Sequence, residues 1–316
     1  MNTFLQICGG IGGLVLLYYG ADGLVRGSVA VATKMKIPSL VIGLTLVAFG
    51  TSAPELVVSI GASLNGHGDV SIGNVVGSNI CNIALILGVC AMITPLNVNP
   101  KLFKLDVPLM LLSSIVLSVF CYLTGGVNRW ESLVFLTGII LYTSWSLFAS
   151  KRDGEQPQET DENAGGDMRL PLALLLAIAG LFCLICGGKL LVNSAVSIAK
   201  VFDVPEAVIG LTVVAIGTSM PELATSIVAA LKGEKDIAIG NVVGSNIFNI
   251  LAILGVAPMI APTSAPGISM VDLGLMTGLS ALLIPMMKTG MTISRREGCI
   301  LFLIYIGYTI WLISCS

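Results

Sequence analysis

Two glutamates set in apolar sequence are the residues best suited to chemistry in this chain. Glu55 and Glu222 each end a Gly-Thr-Ser-x-Pro-Glu motif, and no Lys or Arg stands near either in sequence. A carboxylate deep in hydrocarbon is costly unless it is paired or hydrated. A bound cation would supply the missing positive charge; the alternative is a glutamate that is protonated or solvated by water. The pattern therefore predicts a cation site built from both carboxylates.

A proline directly precedes each glutamate. Pro54 and Pro221 lack a backbone N–H and clash with the carbonyl four residues earlier, which predicts a kink in each helix. The carbonyls released at residues 48–51 and 215–218 then need partners within the membrane. A desolvated cation could supply them.

Hydroxyl groups accompany the carboxylates. Thr51 and Ser52 lie four and three residues before Glu55, so helical spacing predicts that they share its face. Thr218 and Ser219 occupy the same positions in the second motif.

A second polar face follows each motif, with residues spaced by four. It comprises Asn74, Ser78 and Asn82 in the first half of the chain, and Asn241, Ser245 and Asn249 in the second. Polar contacts between helices are the alternative to ion binding here. Every candidate ligand is an oxygen, which suits Na⁺ and Ca²⁺ and disfavours zinc or copper.

The two motifs belong to an internal repeat. A shift of 167 residues aligns 38–95 with 205–262 without a gap, and 38 of the 58 positions are identical. Many of the identities fall on polar residues, which a shared lipid-facing scaffold would not require. The sequence therefore predicts a site shared between two related halves, an arrangement found in many secondary transporters.

The elements that carry these residues are predicted to cross a membrane. Of the 316 residues, 55% are hydrophobic and only 11% are charged, and the net charge of −2 does not favour a nucleic-acid partner. Ten apolar stretches are long enough to span a bilayer. They are 4–33, 39–64, 70–95, 103–124, 131–150, 170–199, 206–231, 237–260, 268–288 and 298–315.

The spans define an all-α membrane protein of two five-helix repeats, 1–150 and 170–316, joined by a linker at 151–169. Because five is odd, the second repeat must be inverted. Twelve Lys and Arg residues flank the spans on one side of the membrane and two on the other. The positive-inside rule makes the first side cytoplasmic and both termini extracellular.

Three other polar groups receive a different interpretation. Asp22 and Arg26 are predicted to form an ion pair within one helix, although the repeat equivalent of Asp22 is Lys189. His67 is expected on a surface turn. The cysteines of the Cys183-x-x-Cys186 pair are expected to be small packing residues.

The paired motifs, GTSAPE with GSNICN and GTSMPE with GSNIFN, resemble the two α-repeats of the Ca²⁺/cation antiporter superfamily, most closely archaeal and bacterial Na⁺/Ca²⁺ exchangers. The resemblance implies exchange of three Na⁺ for one Ca²⁺ across the cell membrane by alternating access. It implies that helices 4–33 and 170–199 slide against the other eight. Both ions are substrates, so no resident cofactor is expected, and the chain is expected to act as a monomer in the lipid bilayer.

The resemblance also implies a ligand set. It comprises Glu55, Glu222, Asn82, Asn249, the hydroxyls of Thr51, Ser52, Ser78, Thr218, Ser219 and Ser245, and the carbonyls of Ala48 and Ala215. Asparagine at both 82 and 249 is similar to the animal Na⁺/Ca²⁺ exchangers and argues against K⁺ co-transport.

Three alternatives remain on sequence alone. A Ca²⁺/H⁺ antiporter of the same superfamily would carry an acid after Gly-Asn, where this chain has valines. An intramembrane hydrolase using Ser52 or Ser219 would need a base, and the sole histidine lies in a loop. A passive channel would show neither saturation nor a requirement for a counter-ion.

Overall fold

The computed structural model describes residues 3–152, 168–201 and 215–315. Helices dominate these ranges. In chain order they are α1 (Thr3–Met35), α2 (Ser39–Thr51), α3 (Ala53–Leu64), α4 (Gly68–Ile93), α5 (Leu102–Thr124), α6 (Arg129–Arg152), α7 (Leu170–Val201), α8 (Ala215–Thr218), α9 (Met220–Leu231), α10 (Lys235–Ile260), α11 (Met270–Lys288) and α12 (Arg295–Cys315).

Most of these helices are suited to a bilayer. Within the described ranges, seven are long and apolar enough to cross a membrane, and the bent pair α2 and α3 makes an eighth. The predicted span 131–150 lies within α6, which has 24 residues. The predicted span 206–231 falls partly outside the described residues, and α9 is its described end. The protein is therefore all-helical and multi-pass, while the full count of ten remains a prediction.

Two helices form the centre of the molecule. The apolar window of α10 is buried along its whole length, and that of α4 is 72% buried. These helices carry the asparagine-rich faces predicted from the sequence. Both contain a π-helical stretch, Cys81–Leu87 in α4 and Asn249–Ile253 in α10. Such stretches are frequent at functional sites, and apolar periodicity did not predict them.

Short strands connect the two halves of the sequence. They are β1 (Leu96–Asn97), β2 (Gly126–Val127), β3 (Thr263–Ser264) and β4 (Thr292–Ile293). β1 pairs with β4 and β2 pairs with β3, both antiparallel. Each ladder therefore joins one strand from each half.

Helices α1 and α7 pack along a seam of glycines. The glycines facing each other are spaced by seven, at Gly13, Gly20 and Gly27 on α1 and at Gly180 and Gly187 on α7. A Cβ atom on Gly20 would lie 2.8 Å from both the Gly180 carbonyl oxygen and the Leu184 nitrogen. Only glycine permits this approach of one backbone to the other.

Candidate functional site

Both predicted helix breaks occur, and each lies just before its proline. Ser52 separates α2 from α3 with φ −83° and ψ 4°, and the two helices meet at a bend of 46°. Ser219 separates α8 from α9 with nearly the same dihedral angles, −87° and 8°. Each glutamate thus lies in the first turn of a new helix, where unpaired backbone N–H groups favour a negative charge.

The two glutamates are fully buried and are held from opposite halves of the chain. The Ser52 hydroxyl donates to Glu222 Oε1 at 2.9 Å. The Ser219 hydroxyl donates to Glu55 Oε1 at 3.3 Å. Each serine therefore reaches the carboxylate of the other half. Helical spacing predicted only that Ser52 shares the face of Glu55, and it did not predict the bond to the glutamate of the other motif.

Asparagines brace the backbone behind each glutamate. Asn74 donates to the Glu55 carbonyl at 3.1 Å, and Asn241 donates to the Glu222 carbonyl at 3.4 Å. The side-chain oxygen of Asn241 also accepts the Thr51 hydroxyl at 3.1 Å. These bonds fix where α3 and α9 begin relative to α4 and α10, so the two asparagines position the carboxylates.

A second pair of asparagines, which the sequence reasoning missed, joins α4 to α10. Asn249 donates to Asn79 Oδ1 at 3.0 Å, and Asn82 donates to Asn246 Oδ1 at 3.4 Å. Asn79 also donates to the Asn246 carbonyl at 3.3 Å. The signal was present, since both residues fall in the identical Gly-Ser-Asn segments of the repeat. In these contacts the amide nitrogens of Asn82 and Asn249 both donate hydrogen bonds to asparagines of the other helix.

Several buried oxygens of the predicted ligand set accept or donate no hydrogen bond in the described structure. They are Glu55 Oε2, Glu222 Oε2, Asn82 Oδ1, Asn249 Oδ1 and Ser245 Oγ. An unsatisfied buried polar group costs about 1–3 kcal/mol, and more when it is charged. A cluster of such oxygens has the chemistry of a hard-cation site.

The remaining predicted ligands differ in burial and in hydrogen bonding. Ser78 is buried and accepts the Ser219 hydroxyl at 3.3 Å, whereas Thr218 is only half-buried. The Ala48 carbonyl accepts the Ser52 N–H at 3.0 Å and the Thr51 hydroxyl at 3.4 Å. The Ala48 carbonyl therefore keeps its helical hydrogen bond, whereas the sequence suggested that the break would release it. The chain turns at Ser52, which is the residue that donates this bond.

The second half differs at this point. The Ser219 N–H donates to the Ile216 carbonyl at 3.1 Å, rather than to that of Ala215. The role of the Ala215 carbonyl as a ligand stays a prediction. In the described ranges, no group of three or more His, Cys, Asp or Glu residues could hold a metal. The charge of this site comes from its two glutamates.

Residues with a predicted role elsewhere lie away from the site. Asp22 pairs with Arg26 at 3.0 Å, as expected, and also with Lys232. His67 is exposed in the turn between α3 and α4. Asp106 lies near a span end, but it is buried and accepts the Tyr142 hydroxyl at 2.9 Å. Tyr142 belongs to α6, so this helix covers Asp106.

Known proteins resemble this chain over nearly its whole length. The family described as sodium/calcium exchanger protein matches residues 5–148 and 172–314. Putative antiporter CaxA of Alkalimonas amylolytica is 40% identical over 309 residues, covering 96% of this chain and 97% of the relative. Sodium/calcium exchanger MaX1 of Methanosarcina acetivorans is 33% identical, covering 94% and 95% of the two chains.

Solved structures agree with these relatives. A structure of the sodium-calcium exchanger NCX_Mj matches with a TM-score of 0.84 at 33% identity, over 100% of both chains. Another, soaked with Na⁺ and Ca²⁺, matches with a TM-score of 0.82 at 34% identity over 96% of each chain. The family match covers both motifs and both glutamates. This chain therefore belongs to the sodium/calcium exchanger family.

Proposed function

We propose that the protein exchanges Na⁺ for Ca²⁺ across the cell membrane, three Na⁺ for one Ca²⁺, by alternating access. One observation carries the proposal. The buried oxygens without a hydrogen-bond partner include the same glutamate oxygen and the same asparagine oxygen from each half, on Glu55, Glu222, Asn82 and Asn249. Four oxygens at repeat-equivalent positions suit one shared set of ions.

The charge of the site supports the ions chosen. Two carboxylates neutralise one Ca²⁺, which takes about six to eight oxygen ligands. Three Na⁺ in the same place leave a net charge of +1. Both ion-bound states are close to neutral, whereas the site without ions carries two buried negative charges and is costly. This difference favours exchange over the return of an empty carrier.

The crossed contacts support an inverted repeat. Ser52 reaches Glu222 while Ser219 reaches Glu55, and β1 pairs with β4 while β2 pairs with β3. The repeat shift of 167 residues relates the Ser52 contact to the Ser219 contact, and the β1–β4 pair closely to the β2–β3 pair. We therefore propose ten spans in two inverted halves, with extracellular termini, and ligands that change access as the halves move.

The deciding experiment is ⁴⁵Ca²⁺ uptake into proteoliposomes with Na⁺, K⁺ or H⁺ as the only gradient. Na⁺-loaded vesicles should accumulate Ca²⁺, and an ionophore that dissipates the Na⁺ gradient should abolish uptake. Uptake driven by H⁺ and blocked by a protonophore would instead identify a Ca²⁺/H⁺ antiporter. Flux that neither saturates nor needs a counter-ion would identify a channel.

A further inference from the structure

A lysine lines a cavity beside the ion site. The cavity holds about 390 Å³ and lies between α7 and the breaks of both motifs. Its wall includes Pro54, Pro221 and Thr218, which stand within four residues of a site glutamate. Lys189 and Asn193 are the polar side chains that α7 contributes to the wall, and Lys189 is exposed. Of the described residues that line this cavity, Lys189 alone carries a charge.

Lys189 and its repeat mate Asp22 differ in their charged neighbours. Asp22 occupies the equivalent position on α1 and pairs with Arg26 and Lys232. The positions equivalent to those two cations are Asn193 and Asn65, which are neutral.

The ion pairs found within the described ranges do not include Lys189. With no salt bridge to an acidic side chain of the described residues, the ammonium group of Lys189 can act electrostatically on cations in the cavity.

We propose that Lys189 repels cations approaching through this cavity and so lowers the apparent affinity for Ca²⁺ more than that for Na⁺. The proposal rests on the exchange function proposed above. A cation at the motif breaks lies next to the cavity wall, so it experiences the potential of the ammonium group. That potential acts twice on Ca²⁺ and once on each Na⁺.

This doubling gives a relation that needs no fitted parameter. If removal of the charge improves the apparent Na⁺ affinity by a factor f, the Ca²⁺ affinity improves by f squared. For a separation of about 10 Å in water, f is roughly 2 for Na⁺, and the Ca²⁺ factor is roughly 4. Charge reversal should square both factors again, to roughly 4 and 16.

The experiment measures half-saturating Na⁺ and Ca²⁺ concentrations on each face of the membrane, using right-side-out and inside-out vesicles. The predicted topology starts α7 at the cytoplasmic side, which places Lys189 in the extracellular half of this helix. Lys189→Gln should therefore improve both values on the extracellular face by the factors above, with an unchanged maximal rate. Lys189→Glu should extend the change, and Lys189→Arg should match wild type. The effect should shrink in choline chloride, since the Debye length falls from about 10 Å at 0.1 M to about 3 Å at 1 M.

Lys288→Gln is the matched control, because it removes an exposed lysine from the last turn of α11. It should behave as wild type. Three results would overturn the proposal: equal factors for Na⁺ and Ca²⁺, no change in either half-saturating concentration, or a change confined to the cytoplasmic face. A lysine that only contacts lipid headgroups would give one of these results. If wild type shows no Na⁺-driven Ca²⁺ uptake, the exchange function itself fails, whatever Lys189 does.

Discussion

Glu222→Gln replaces one carboxylate oxygen of the site with an amide nitrogen and changes little else. Glu222 is fully buried, its Oε1 accepts the Ser52 hydroxyl, and its Oε2 has no partner in the described structure. The glutamine keeps an oxygen for Ser52, so the helix break should persist. The same holds for Glu55→Gln, with Ser219 as the donor. Both variants therefore test charge with little change of shape.

The lost charge should decide whether Ca²⁺ binds. Two unit charges about 4 Å apart interact by about 4 kcal/mol at an effective dielectric constant of about 20, so a divalent ion loses roughly 8 kcal/mol of attraction. Even half of that is about a thousandfold in affinity. We expect neither variant to transport Ca²⁺.

Two measurements check this expectation at matched protein levels. The first is Na⁺-driven ⁴⁵Ca²⁺ uptake. The second is the melting temperature with and without Ca²⁺, because an ion at about 100 times its Kd stabilises the folded state by about 2.7 kcal/mol. Wild type should show this shift and the variants should not. Glu297→Gln is the control, since Glu297 accepts the Ser294 N–H at the start of α12, away from the site. Retention of more than about a tenth of wild-type uptake by both site variants would refute the ligand assignment, because that loss is only about 1.4 kcal/mol.

Three further predictions follow from the same site. A 3:1 exchange moves one net charge per cycle, so an inside-positive potential clamped with valinomycin should speed Ca²⁺ uptake into Na⁺-loaded vesicles; an unaffected rate would contradict the stoichiometry. Ser52→Ala removes a 2.9 Å bond to Glu222 and Ser219→Ala a 3.3 Å bond to Glu55, so half-saturating Ca²⁺ should rise in both variants and more in the first. Equal or absent changes would show that these bonds do not order the carboxylates. Asn249→Asp adds a third carboxylate to the site, and Ca²⁺ uptake should become sensitive to mild acid; normalised pH profiles that superimpose on wild type would place residue 249 away from the ions.

Much of the site could be predicted from local sequence. The glutamates, the breaks and the asparagine faces all follow from polar residues and prolines in apolar helices, because each has a physical consequence within one or two turns. The predicted release of the Ala48 carbonyl was not found, because a proline predicts that a helix ends but not which residue turns. Here the turn falls at Ser52, after the hydrogen bond to Ala48 has formed. The role of this carbonyl as an ion ligand stays a prediction.

What the sequence could not supply depends on how distant elements meet. The Asn79 contact with Asn249 spans 170 residues, and the crossed pairing of Ser52 with Glu222 does as well. Local periodicity carries no information about either contact. The π-helical stretches were missed for a different reason: their residues are nearly all apolar, so no alternation of polar and apolar faces marks the change in helical period.

The glycine seam and the two strand ladders determine how late in synthesis the protein can complete its fold. Each joins an early segment to a late one, since α1 packs on α7 and β1 pairs with β4. A ribosome adds about 5–20 residues per second, so α1 must wait roughly 8–30 s in the membrane before α7 is synthesised. During that wait its glycine face lacks its native partner. Completion requires β4, at Thr292–Ile293, so a nascent chain shorter than this cannot close its first ladder.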